Sequence, residues 1–84
     1  MPADQSVDER LRRVFCEVLQ IPDDRFDEDL SVGDIAEWDS IAHVTLLMSI
    51  EAEFGVTFDV TDAIDVESLA DLRSLVTRYL SATR

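Results

Sequence analysis

Eighty-four residues with a formal net charge of −12 fit one small domain over residues 1–84, near the lower size at which a chain folds without staples. An excess of 19 Asp and Glu over 7 Lys and Arg repels phosphate backbones, which argues against nucleic acid and for basic protein partners. The single cysteine excludes an internal disulfide, residues 1–6 are too polar for a signal peptide, and no apolar run approaches the ~20 residues of a membrane span. A cytoplasmic protein is expected.

The first periodic segment places Val7, Leu11, Val14, Phe15 and Val18 on one stripe of a helix from about residue 6 to 20. Ser6 or Asp4 is its expected N-cap, Asp8 and Glu9 suit the positive end of the helix dipole, and Pro22 marks the stop. Cys16 is expected opposite the apolar stripe, as an incidental flank residue.

From Ile21 to Asp39 the period disappears, and carboxylates alternate with single apolar anchors at Phe26, Leu30, Val32, Ile35 and Trp38. Loops beyond about 12–15 residues are uncommon in compact domains and are usually functional or disordered; the spaced anchors favour order here. Asp34-Ile35-Ala36-Glu37 has capping-box spacing, which predicts a helical turn inside the loop.

A second helix is predicted from Ser40 to Phe54, with Asp39 as N-cap and Gly55 at the left-handed stop. Leu46, Leu47, Ile50 and Phe54 form its core stripe. Ile41, Val44 and Met48 widen the apolar arc beyond what one buried face needs and carry Glu51 with them, so these three are expected to be partly exposed. Val56-Thr57-Phe58 reads as an extended link and residues 61–64 as one helical turn. Asp65 is the predicted cap of a last helix bearing Val66, Leu69, Leu72, Leu75, Val76, Tyr79 and Leu80 on one face. With no strand-period segment, the chain is expected to be all-α: a four-helix bundle of three main helices and a short third.

Ser40 and His43 lie three apart and share a helix face, but a nucleophilic serine also needs an oriented base, an oxyanion site and a pocket, and no Gly-x-Ser-x-Gly elbow surrounds Ser40. His43 reads as an exposed helix histidine and Ser40, taken alone, as a capping residue. The acidic loop lacks the glycine and terminal glutamate of a calcium loop, and no His/Cys set exists for zinc, so no metal is expected.

Asp39-Ser40-Ile41, followed by Val44, Leu46, Met48, Ile50, Glu51, Glu53, Phe54 and Gly55, resembles the Asp-Ser-Leu motif and recognition helix of acyl carrier proteins. The resemblance covers essentially the whole chain. It implies that Ser40 is joined by a phosphodiester to 4′-phosphopantetheine, donated by coenzyme A through a phosphopantetheinyl transferase, and that the arm's thiol carries an acyl group as a thioester. It also implies no catalysis by the chain itself. Asp39 would cap the helix or help the transferase hold magnesium. Partner docking would use Ile41, Val44 and Met48 with Glu51 and Glu53, against basic patches, and would weaken with salt.

Ala42 and Thr45 stand where carriers of fatty-acid synthases usually have carboxylates, and Glu37-Trp38 replaces their glycine-containing lead-in. Trp-Asp-Ser is similar instead to stand-alone carriers of bacterial specialised biosynthesis. The implied partners are an acyl-loading ligase or acyltransferase and a ketosynthase or other tailoring enzyme, served by a monomer. A stand-alone peptidyl or aminoacyl carrier and an unmodified acidic helical adaptor are the alternatives.

Overall fold

The computed structural model describes residues 6–82. Helix α1 (Val7–Leu19) starts in a reciprocal cap: Ser6 Oγ accepts the Glu9 N–H, and Glu9 Oε1 accepts the Ser6 N–H, both at 3.1 Å. Asp4, the other suggested cap, lies outside the described residues. The helix ends where Gln20 turns left-handed (φ 57°, ψ 47°) and donates its N–H to the Cys16 carbonyl. Leu11, Val14, Phe15 and Leu19 are buried along the stripe, with Val7 and Val18 at its margins. Cys16 is a correction to the sequence expectation, being buried as well. The helix stops in a left-handed turn, with Ile21 N–H on the Cys16 carbonyl at 3.1 Å, and the chain beyond it brings Asp23 to the thiol, so the buried face is wider than the stripe alone. Burial is also the main reason that the thiol is held above its ordinary pKa, with Asp23 adding to it.

The segment between Gln20 and Asp39 is ordered by its apolar anchors and by three kinds of tie. Phe26, Leu30, Val32 and Ile35 are half-buried against the core, and Trp38 is fully buried. A 3-10 turn at Asp23–Arg25 opens the segment. Arg25 then reaches across twelve residues to Glu37, at 2.7 and 3.2 Å, and closes the loop on itself. The helical turn expected at 34–37 is absent. Asp34 Oδ2 accepts the Ser31 N–H at 2.8 Å, so its carboxylate caps backward and Glu37 is drawn off to Arg25. The loop is finally pinned to the last helix by Val32 N–H on the Glu67 carbonyl (2.9 Å) and Leu69 N–H on the Leu30 carbonyl (3.0 Å).

Helix α2 (Ser40–Phe54) has the predicted bounds, capped by Asp39 and stopped by Gly55 at φ 68°. Helix α3 (Val60–Ile64) is short and buries no residue fully. Two residues of the last helix fix it: Tyr79 Oη donates to Asp62 Oδ2 at 2.6 Å and accepts the Asp59 N–H at 2.9 Å, and Arg78 pairs with Asp62 at 3.1 Å. Helix α4 (Leu69–Ala82) begins later than the sequence suggested. Asp65 ends α3, and Ser68 caps α4 through the Asp71 N–H at 3.1 Å, while Asp71 Oδ2 accepts the Glu67 N–H at 3.1 Å. The shift follows from the pairing with the loop, which holds Glu67 and Ser68 beside Ser31 and Val32 and lets the helix start only at Leu69. The fold is all-helical, three main helices and a short third, with Phe15, Trp38, Leu46, Ile50, Leu72 and Val76 as its fully buried centre.

Because Ser68 and not Asp65 caps α4, Ser68→Ala is expected to cost about 1 kcal/mol in urea unfolding. Asp65→Ala is expected to stay within about 0.5 kcal/mol of wild type. Equal losses at the two positions would contradict the assignment.

Candidate functional site

Ser40 is the first residue of α2, and it is exposed. The capping work is done by its neighbour: Asp39 Oδ1 accepts the Ala42 N–H at 2.8 Å, and the Asp39 carbonyl accepts the His43 N–H at 2.9 Å. The Ser40 hydroxyl therefore has no structural duty, and among the described residues it makes no hydrogen bond. It sits at the positive end of a fifteen-residue helix, where unpaired N–H groups favour an attached phosphate.

The two residues before it set its position. Trp38 has no exposed surface; its ring meets Phe15 edge-to-face at 5.0 Å, and Phe15 meets Phe26 the same way at 5.6 Å. The Trp38 carbonyl accepts the Gly33 N–H at 2.9 Å, and its N–H donates to the Ile35 carbonyl at 3.1 Å. The indole N–H donates to His43 Nδ1 at 3.1 Å. His43 is thus a second correction, half-buried rather than exposed, with burial lowering its pKa. Its Nδ1 is occupied by Trp38, so it does not serve Ser40 as a base. Among the described residues no group of three His, Cys, Asp or Glu side chains converges as metal ligands.

Helix α2 has two apolar faces. Leu46, Ile50 and Phe54 enter the core, while Ile41, Val44 and Met48 are 79%, 57% and 63% exposed on nearly the opposite side. The helix carries two carboxylates, and both make internal contacts. Glu53 Oε2 accepts from Arg10 Nε at 2.9 Å and Arg13 Nη2 at 2.7 Å, which ties α2 to α1. Glu51 Oε2 accepts the Phe58 N–H at 2.7 Å and holds the link to α3. Neither the Arg10–Glu53 contact, forty-three residues apart, nor the Trp38–His43 bond was visible to sequence reasoning. The only hint was that both Arg10 and Glu53 flank apolar stripes.

A family model described as the phosphopantetheine attachment site matches residues 9–76. The chain belongs to the phosphopantetheine-attachment family, whose members are carriers and not catalysts. Among solved structures, the chain is similar to a holo acyl carrier protein from Geobacter metallireducens, with 26% sequence identity and a TM-score of 0.79. That likeness covers 99% of this chain and 91% of the other. No curated protein matches at a significant level. The cofactor is phosphopantetheine, and the family implies a phosphopantetheinyl transferase and acyl-handling enzymes as partners. An uncommitted hydroxyl at a helix N-terminus fits a phosphodiester. No helix among the described residues is long and apolar enough to cross a membrane.

The Arg10 guanidinium, with Arg13, holds the Glu53 carboxyl below its ordinary pKa. Stability drawn from this contact is full above the ordinary glutamate value and is lost as pH falls through the lowered folded one. The urea midpoint of wild type is therefore expected to fall more steeply on acidification below about pH 4.5 than that of Glu53→Gln. Parallel curves would contradict the assignment.

Proposed function

We propose that Ser40 is the residue that carries phosphopantetheine, and that the chain acts as a single carrier domain over residues 1–84. The observation that carries this is the division of labour at the head of α2: Asp39 caps, and Ser40 presents a free hydroxyl. On a transferase, Ser40 Oγ displaces adenosine 3′,5′-bisphosphate from coenzyme A and forms the phosphodiester, its proton passing to the enzyme. The arm's thiol then holds an acyl group as a thioester. Tethering raises the cargo's effective concentration at whichever enzyme has docked, so the carrier needs no active site.

Ile41, Val44 and Met48 form the centre of the docking face, with Asp39 and Glu51 supplying negative charge beside it, while the charge of Glu53, expected there from the sequence, is offset by Arg10 and Arg13. A net charge of −12 speeds the association of basic partners. The Trp-Asp-Ser lead-in and the lack of carboxylates at Ala42 and Thr45 favour polyketide or other specialised biosynthesis in the cytoplasm, with a loading ligase or acyltransferase and a ketosynthase as partners of a monomer. The internal engagement of Glu51 and Glu53 favours one alternative, a stand-alone peptidyl or aminoacyl carrier, because such carriers present a less acidic second helix. Charging by an amino-acid-adenylating enzyme, and not by an acyltransferase, would select that alternative.

Incubation with coenzyme A, magnesium and a broad-specificity transferase is expected to add one phosphopantetheine to the intact mass of wild type and none to Ser40→Ala. An adduct on the variant, or none on folded wild type, would contradict the assignment. Val44→Ser and Met48→Ser are each expected to raise the transferase KM several-fold while leaving stability within about 0.5 kcal/mol, because both sites are exposed. Salt is expected to slow association, by screening over ~10 Å at 0.1 M. A KM unmoved by both substitutions would remove the docking face.

A further inference from the structure

The chain has one histidine and one tryptophan, and they are bonded to each other across the start of α2. Carrier chemistry does not use this bond, and neither does helix capping. Trp38 is completely buried, and the Nε2 atom of His43 is also shut off from solvent, with the Val66 carbonyl the one acceptor that acts on the ring. Both nitrogens of the imidazole are therefore constrained. Nδ1 accepts the indole N–H, which places the ring proton on Nε2.

We propose that His43 is a positioning residue for Ser40: as a neutral acceptor of the Trp38 indole N–H, it holds the lead-in Trp38-Asp39-Ser40 in the form a transferase engages, and its protonation releases that lead-in. His43 grips the lead-in twice, through its ring on Trp38 and through its own N–H on the Asp39 carbonyl at 2.9 Å. Ser40, the first residue of α2, lies between Trp38 and His43, the two ends of that ring contact.

Protonation reverses the chemistry of the ring contact. A cationic imidazole carries N–H on both nitrogens, so the Nδ1–H would face the indole N–H, donor against donor, where Trp38 is wholly buried. The ring must swing away or the indole must leave its seat against Phe15.

No neighbouring charge offsets this. The groups acting on His43 are Trp38 from the lead-in and the Val66 carbonyl from the link between α3 and α4. Of the carboxylates on the adjoining segments, Glu37 is paired with Arg25 and Asp62 with Tyr79 and Arg78, while Asp39, Asp65 and Glu67 are exposed to solvent. Burial, opposed only by Val66, keeps the folded pKa below the ordinary histidine value of about 6.5. Stability from the neutral ring is therefore full above that value and is lost as pH falls through the lower folded one.

This role rests on Ser40 being the attachment residue, so the test has one arm independent of modification. In the first arm, NMR follows the Trp38 indole cross-peak and the His43 ring of the apo wild type from pH 8 downward. The two are expected to titrate with one midpoint, below about 6.5. The second arm compares initial rates of phosphopantetheine transfer to wild type and to His43→Asn, whose Oδ1 stands at the place of Nδ1 and accepts the indole N–H without titrating. The wild-type to variant rate ratio is expected to fall about fivefold or more across that midpoint.

An indole resonance indifferent to the His43 titration overturns the proposal, and so does a rate ratio that does not change with pH. If His43→Asn does not fold, the coincidence of the two wild-type midpoints decides it. Absence of any adduct on folded wild type at pH 8 overturns the attachment reading, and this role with it, whatever the indole does.

Discussion

The arrangement at Ser40 depends on the burial of Trp38. A chain of 84 residues has little core to spare, and here one of its largest side chains comes from a loop rather than a helix. The indole lies edge-on to Phe15 of α1, and its backbone is held by Gly33 and Ile35. Because Trp38 stands two residues before Ser40, fixing it fixes the point and direction from which α2 departs. The remaining loop ties, Arg25 to Glu37 and Leu30 to Leu69, keep the preceding segment from pulling that anchor out. An isolated surface ion pair contributes little, so the Arg25–Glu37 contact matters as a geometric closure more than as an energy source.

With its first turn fixed from below, α2 is able to expose an apolar ridge without being drawn into the core by it. Leu46, Ile50 and Phe54 supply the burial that holds the helix, and Glu53 adds a polar seam to Arg10 and Arg13. Ile41, Val44 and Met48 are then free to face solvent beside an exposed serine. Exposed apolar side chains grouped on one face mark interaction surfaces more often than accidents of packing. On the proposal that Ser40 carries the arm, such a face beside it is where successive enzymes would hold the carrier while the tether reaches their active sites.

The helices were legible in sequence wherever one stripe of apolar residues met an unambiguous cap. Helix α2 shows both signals, with Asp39 before it and Gly55 after it, and its bounds were recovered. Helix α4 had two plausible caps, and the choice between Asp65 and Ser68 was made by the loop pairing with residues 67–69, which no local pattern encodes. Cys16 was misplaced for the same reason, since the chain that covers it comes from beyond the helix end. In the loop, the apolar anchors could be picked out singly, but which carboxylate goes with which arginine could not, because aperiodic chain has no spacing rule. His43 shows the limit most clearly. Its position on the helix was evident, yet its burial depends on Trp38 arriving from the loop and on the Val66 carbonyl.

A rigid lead-in anchored by Trp38 is the central claim, and native-state hydrogen exchange of the indole N–H tests it most directly. The account predicts that this proton exchanges only through opening comparable to global unfolding, with the Ala42 and His43 amides protected alongside it. An indole N–H that exchanges like an exposed one while the amides of α1 and α4 stay protected would contradict the account.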